Sequence, residues 1–191
     1  SLAQTGMYSI AIQLTTAIAV VASTLYNTYQ PAFQNAYITK NQTRLRELFS
    51  FSVTLFIVIY WVGIFALWLI GLPLLNMIKY DFTISNTVLL GAGVMQFIIY
   101  YRNCYTSYFS CTNRIIYVKS FIFSSAIGLV LSLAFMQIFN LGILGLLGGI
   151  ILSQCMYNSW YWLYKSHKEM RIGWIESFVK GIVIIGAKIK K

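Results

Sequence analysis

Residues 88–113 read VLLGAGVMQFIIYYRNCYTSYFSCTN. The stretch is mostly apolar and long enough, at ~1.5 Å per residue, to cross a bilayer, yet Arg102 lies inside it. The spacing from Arg102 to Asn113 puts the charge ~16 Å inside the nearer end, close to mid-membrane. A charge at that depth costs several kcal/mol unless it faces protein, water or a ligand. At ~100° per residue, Gln96, Arg102, Asn103, Thr106, Ser107, Ser110 and Asn113 share an arc of roughly 140°. Phe97, Ile98, Tyr101, Tyr105 and Tyr108 occupy the other side. The reading predicts a helix with one polar and one aromatic-apolar face, and asks of the rest of the chain what the polar face looks at.

Composition sets the class. The chain of 191 residues is 59% hydrophobic and 9% charged, against roughly a quarter charged in a soluble domain. This predicts an all-α integral membrane protein. Fourteen basic residues against four acidic ones give +10. The cations lie mostly in short loops and the tail, so they predict membrane topology and contact with anionic lipid headgroups, with no nucleic-acid partner. Cys104, Cys111 and Cys155 fall inside predicted spans without metal-ligand spacing, and one histidine with four acids forms no cluster. The expectation is no metal, no cofactor and no catalytic acid–base pair. His167 reads as part of a basic loop.

Taken in order, hydropathy predicts about five transmembrane helices, at about 4–37, 49–78, 87–112, 120–139 and 143–164. The first carries a polar stripe of Ser9, Gln13, Thr16, Ser23, Thr24, Asn27, Pro31 and Gln34, with Pro31 set to kink or end the helix near Thr28. Two readings of the stripe stand side by side: a cavity wall, and Ser/Thr hydrogen bonding between packed helices. The second span is apolar all round and is broken near its end by Gly71-Leu72-Pro73. Residues 76–86, with Lys79 and Asp81, form a nearly neutral turn. Asn140-Leu141-Gly142 makes a tight turn between spans four and five. In the fifth span, Gly145, Gly149 and Ser153 form a small-residue face that admits a close helix neighbour. An aromatic belt follows, then Lys165, Lys168 and Arg171. Residues 171–191 read as an interfacial segment with a basic tail.

The loops after spans one, three and five are basic and the other two are not. The positive-inside rule then puts Ser1 outside and Lys191 in the cytoplasm. Because the chain starts at Ser1 without a signal segment and on the outside, it reads as a piece of a longer protein whose preceding part holds an odd number of spans.

Several stretches resemble a known family. YSIAIQLTTAIAVVASTLYNTYQPAFQNAY (8–37), FSFSVTLF (49–56) and IGLPLL (70–75) are similar to the C-terminal half of bacterial Wzx-type polysaccharide flippases, in the multidrug/oligosaccharidyl-lipid/polysaccharide exporter superfamily. TNRIIYVKSF (112–121), FNLGILGL (139–146) and SQCMYNSWYW (153–162) resemble its final helices. The resemblance runs to about Met170 as hydropathy, loop spacing and short words, without an invariant motif. It implies that residues 1–170 are most of one lobe of a twelve-helix bundle, its five spans being helices eight to twelve. It implies alternating-access transport of undecaprenyl-pyrophosphate-linked oligosaccharide across the bacterial inner membrane for O-antigen or capsule synthesis. The implied partners are the lipid-linked oligosaccharide, membrane lipids, the N-terminal half of the same transporter, and a polysaccharide polymerase with its glycosyltransferases. No single functional residue carries over, and Arg102 matches no family motif.

Read from the residues themselves, the candidate substrate path is Arg102, Asn103, Thr106, Ser110, Gln13, Asn27 and Asn158: a guanidinium for a pyrophosphate, amides and hydroxyls for sugar. For Arg102 a purely structural role, bonded to carbonyls or snorkelling along a wet groove, remains the second reading. The alternatives are a cation-coupled multidrug exporter, a membrane glycosyltransferase or polymerase, and a packing-only scaffold. All four acids, Glu47, Asp81, Glu169 and Glu176, fall in loops or at the membrane edge, which leaves an exporter of that kind no ion site in this half. The outer loops are short for an active site, so the expectation is a non-enzyme. A scaffold accounts for spans two and four but not for the polar faces of one and three.

Overall fold

The structure, a computed structural model, describes residues 2–78 and 84–189. Lys79, Tyr80 and Asp81 of the expected outer turn lie outside the described residues. The elements are α1 (Leu2–Asn27), α2 (Gln30–Ile38), α3 (Gln42–Ala66), a π-helical turn (Leu67–Gly71), α4 (Leu72–Ile78), α5 (Asn86–Cys111), α6 (Val118–Gln137), α7 (Gly142–Met156), α8 (Asn158–Met170) and α9 (Trp174–Ile189). There is no β-strand among the described residues. The protein is an all-α, multi-pass membrane protein. Four helical stretches are long and apolar enough to cross a bilayer: Thr5–Ile38, Gln42–Leu75, Val118–Gln137 and Gly142–Met170. The third expected span, α5, is as long as α1, and its polar residues separate it from those four.

α5 is the axis of the bundle. It packs against α1, α2, α3, α7 and α8. Its polar residues survive at membrane depth because neighbours, not lipid, cover most of them. α1 approaches closely through Ala11, Thr15, Ala19 and Ala22, all buried, and Tyr26 closes the seam with its hydroxyl donating to the Cys104 carbonyl at 2.6 Å. Tyr60 of α3 donates to the Gly93 carbonyl at 2.7 Å. Between these points Phe49, Phe56, Phe97, Tyr105 and Tyr108 pack edge-to-face or stacked with one another and with Tyr60, each contact contributing ~0.5–1.5 kcal/mol beyond burial.

The breaks have local causes. Pro31 lacks an N–H, so the first span bends between α1 and α2 at Thr28-Tyr29, as its sequence predicts. Pro73 has the same defect, and the ladder shifts register ahead of it: the Leu72 amide donates to the Leu67 carbonyl, five residues back. The third break, at Tyr157, divides the fifth span into α7 and α8. Asn140 and Gly142 both take positive φ, which closes the expected tight turn. The ends of α2, α5 and α8 share one device. Lys40, Asn113 and Arg171 adopt positive φ, and the next amide in each case reaches back to the carbonyl of Ala36, Phe109 or His167.

Those three ends meet at one pole of the bundle. The Arg46 Nε donates to the Met170 carbonyl at 2.6 Å, Arg114 pairs with Glu169, and Lys180 stands 3.8 Å from Glu47. Hydrogen bonding to Glu169 raises the Arg114 pKa above its ordinary value. The basic segments that alternate along the sequence are therefore neighbours in space.

One expectation needs correction. His167 is not in a loop. α8 runs on to Met170 because Asn158, Trp162, Ser166 and Met170, four residues apart, all point inward, and His167 is buried beside them. The fifth span accordingly extends past 164. Residues 174–189 form one continuous helix, α9, docked on α3: the hydroxyls of Ser177 and Ser50 lie 2.8 Å apart, and a Cβ on Gly181 would come within 2.6 Å of the Ser50 carbonyl oxygen. At ~24 Å, α9 is shorter than the ~30 Å bilayer core.

Candidate functional site

The predicted polar arc of α5 divides into two environments. Asn103, Thr106, Ser107 and Ser110 face α1 and line a groove of ≈ 330 Å³ with Ser23, Asn27 and Gln30; Tyr117 and Phe121 close its flank. Arg102, one position round the helix, faces α6 and α7 and lines a separate cavity of ≈ 390 Å³ with Ser124, Gly128, Ser132, Ser153 and Gln154. One residue step turns a helix by ~100°, enough to send consecutive side chains to different neighbours.

In the groove the hydroxyls bond backward to their own helix. Ser107 donates to the Asn103 carbonyl at 2.8 Å, Thr106 to the same carbonyl at 3.2 Å, and Ser23 to Val20 at 3.0 Å. This satisfies the donors within the helix and leaves oxygen lone pairs toward the groove. Ser110 and Tyr117 share a bond of 2.7 Å across the flank. Gln30 Nε2 donates to Asn27 Oδ1 at 2.9 Å, beside the kink that Pro31 creates. The wall is thus rich in acceptors and amides, and none of α1, α2, α5, α6 or α7 contains an acidic residue.

Arg102 is 8% exposed. Nη1 donates to Gln154 Oε1, and Nε and Nη2 donate to Asn103 Oδ1 at 3.3 and 3.0 Å. The guanidinium carbon stands 3.8 Å above the Phe121 ring, close enough for a cation–π contact. Among the described residues no carboxylate joins this arrangement, so the charge is solvated by neutral groups and retains its field. Gln154 Oε1 also accepts from Asn158 Nδ2 at 3.3 Å, and Asn158 Oδ1 accepts from Trp162 Nε1 at 3.2 Å. A continuous network therefore runs from Trp162 through Asn158, Gln154 and Arg102 to Asn103, whose side chain forms the groove wall. The break at Tyr157 makes room for it: the freed Gln154 carbonyl accepts the Ser159 hydroxyl at 3.0 Å.

The structure thus brings Asn27, Asn103, Thr106 and Ser110 together in one groove, and joins Arg102 and Asn158 to it from behind. Asn158 is fully buried, outside the lining of the groove. Gln13 is exposed on α1, outside the groove, as are Ser9 and Thr24, whereas Thr16, Ser23 and Asn27 of the same stripe face α5. Gln154, the connecting residue, was missed; it stands four residues before Asn158 on an apolar span, a spacing that puts two amides on one face. Gln96, which donates to Thr16 Oγ1 at 2.7 Å, was seen only as a member of the arc, and its partner lies in the α1 stripe. His167 packs edge-on to Phe49 and tilted against Tyr105, with neither ring nitrogen hydrogen-bonded among the described residues; no sequence signal distinguishes that placement.

No known protein family, curated protein or solved structure matches this chain in the comparisons made.

Proposed function

We propose that this chain is the C-terminal lobe of a transporter that moves a polyprenyl-pyrophosphate-linked oligosaccharide from one leaflet of the bacterial inner membrane to the other. The observation that carries the reading is the α1–α5 groove: a polar wall of Asn27, Asn103, Thr106, Ser107 and Ser110 inside a membrane-spanning bundle, with an uncompensated guanidinium one side chain behind it. Hydroxyl oxygens and amides suit sugar hydroxyls, and the positive field suits a pyrophosphate passing at the same depth. Arg102 acts through Asn103, whose Oδ1 it holds while the amide nitrogen is left to the groove. The resemblance of residues 8–170 to polysaccharide flippases supports the same substrate class.

In this reading the protein makes and breaks no covalent bond. The other half of the transporter faces the exposed side of α1 at Ser9, Gln13 and Thr24, and the pole holding Lys40, Arg114 and Arg171 is cytoplasmic, in keeping with the positive-inside rule. The glycosyltransferases that build the saccharide and the polymerase that consumes it act before and after this step.

The test is leaflet transfer by the full-length protein in proteoliposomes, using a labelled polyprenyl-pyrophosphate oligosaccharide and a membrane-impermeant glycosidase. Transfer that is absent from vesicles carrying a Ser107→Trp variant is the expected result. Equal protection with and without the protein contradicts the reading.

A further inference from the structure

One face of α8, from Trp160 to Lys168, and the turn into α9 line an open pocket of ≈ 700 Å³ along the end of the fifth membrane span. Trp160, Leu163, Ile172 and Trp174 give it an apolar lining, and Lys168 and Arg171 stand exposed at its edge. Neither cation has an ion-pair partner among the described residues. The two carboxylates nearest in sequence are engaged elsewhere: Glu169 pairs with Arg114, and Glu176 Oε2 accepts the Gly173 amide at 3.3 Å. The geometry is fixed rather than incidental. Arg171 is held at positive φ by the bond from the Ile172 amide to the His167 carbonyl, and Trp174 is anchored through its Nε1 donating to the Tyr101 hydroxyl at 3.1 Å.

We propose that this pocket binds one anionic phospholipid, with the phosphate between Lys168 and Arg171 and the glycerol and upper acyl region against Trp160, Leu163 and Trp174. Three features select this occupant. The pocket lies where a span ends, at headgroup depth, where Trp and Tyr rings are at home. It pairs two unneutralised cations with an apolar floor, which matches an amphiphilic anion and offers free phosphate little beyond charge. The apolar face of α9, with Ile175, Val179 and Val183 exposed, continues the surface outward into lipid. A lipid seated there would bridge α8 and α9 and hold the terminal helix on α3. This inference stands independently of the transported substrate.

The test is native mass spectrometry of the full-length protein in detergent, titrated with dioleoyl phosphatidylglycerol or dioleoyl phosphatidylcholine. The expected result is one tightly held phosphatidylglycerol, preferred over phosphatidylcholine. Lys168→Gln with Arg171→Asn, the latter chosen because Asn tolerates positive φ, should weaken it about twenty-five-fold, about fivefold for each cation. In the unmodified protein, ~1 M salt should abolish the preference, a measurement that needs no variant to fold. Equal affinity for the two lipids, retention of the preference at high salt, or displacement of the lipid by millimolar inorganic phosphate would overturn the proposal.

Discussion

Arg102 of α5 donates its Nη1 proton to Gln154 of α7 across the centre of the bundle, and that single bond connects the two halves of the polar network. It joins a helix that faces the groove to the helix pair whose break at Tyr157 supplies the partner. A hydrogen bond to a charged group contributes roughly 1.5–3 kcal/mol, and stripping a partner from a buried charge costs at least as much. Gln154→Leu is therefore expected to lower the thermal stability of the purified protein clearly. Arg102→Met, which removes the charge along with its need for partners, should cost less. In the double-mutant cycle the two changes should couple by roughly 1.5–3 kcal/mol. Strict additivity would show that the bond is not made.

The α6–α7 contact gives a sharper steric test. A Cβ on Gly149 would lie 2.6 Å from the Ser132 Cα, and one on Gly145 would lie 2.9 Å from the Phe135 carbonyl carbon. Both obstructions are backbone and cannot rotate away. The intervening Gly148 would meet only the Phe135 ring, at 3.7 Å. Gly149→Ala should reduce folded yield and destabilise by ~1–3 kcal/mol, Gly149→Leu more, and Gly148→Ala should be close to silent. Similar behaviour of Gly148→Ala and Gly149→Ala would reject the packing.

Topology is testable by cysteine labelling in intact cells and inverted vesicles. The ends of α2, α5 and α8 meet at one pole, so cysteines at Asn41, Asn113 and Arg171 should react from the same side, and from the cytoplasm by the charge rule. One at Asn140 should react only from the other side. Labelling of Asn41 and Asn140 from the same side would break the arrangement of spans.

Much of this architecture was legible in the sequence for identifiable reasons. The all-α, multi-pass character follows from hydropathy, and the kink at Thr28 follows from what Pro31 lacks. The Gly145/Gly149/Ser153 face is a local pattern whose outcome depends only on the approach of one neighbour, α6. The polar arc of α5 was legible as an arc, but its division was not: whether Arg102 and Asn103 share a neighbour depends on where α6 and α7 stand, and that is decided by tertiary packing. Gln154 was hidden because its significance lies in its distance from Arg102, 52 residues earlier in the chain. The inward stripe of α8 was obscured by Lys165 and Lys168 between its members; the apolar stem of Lys165 lets it lie over the rings of Phe109, Tyr161 and Trp162. The docking of α9 rests on Ser50, Thr54, Ser177 and Gly181, small residues that carry no periodic signal of their own.

The central claim, that the α1–α5 groove is the path of a lipid-linked saccharide, is tested most directly by surface polysaccharide in a flippase-deficient strain complemented with the full-length protein. Ser107→Trp fills the groove from its α5 wall without touching the Arg102–Gln154 bond, and Ile122→Trp, on the exposed side of α6 at 64% exposure, is its control. With protein abundance measured in the same membranes, the account predicts that Ser107→Trp abolishes surface polysaccharide at normal abundance while Ile122→Trp supports it fully. Full export by Ser107→Trp at normal abundance would contradict the claim and leave the polar wall a packing feature alone.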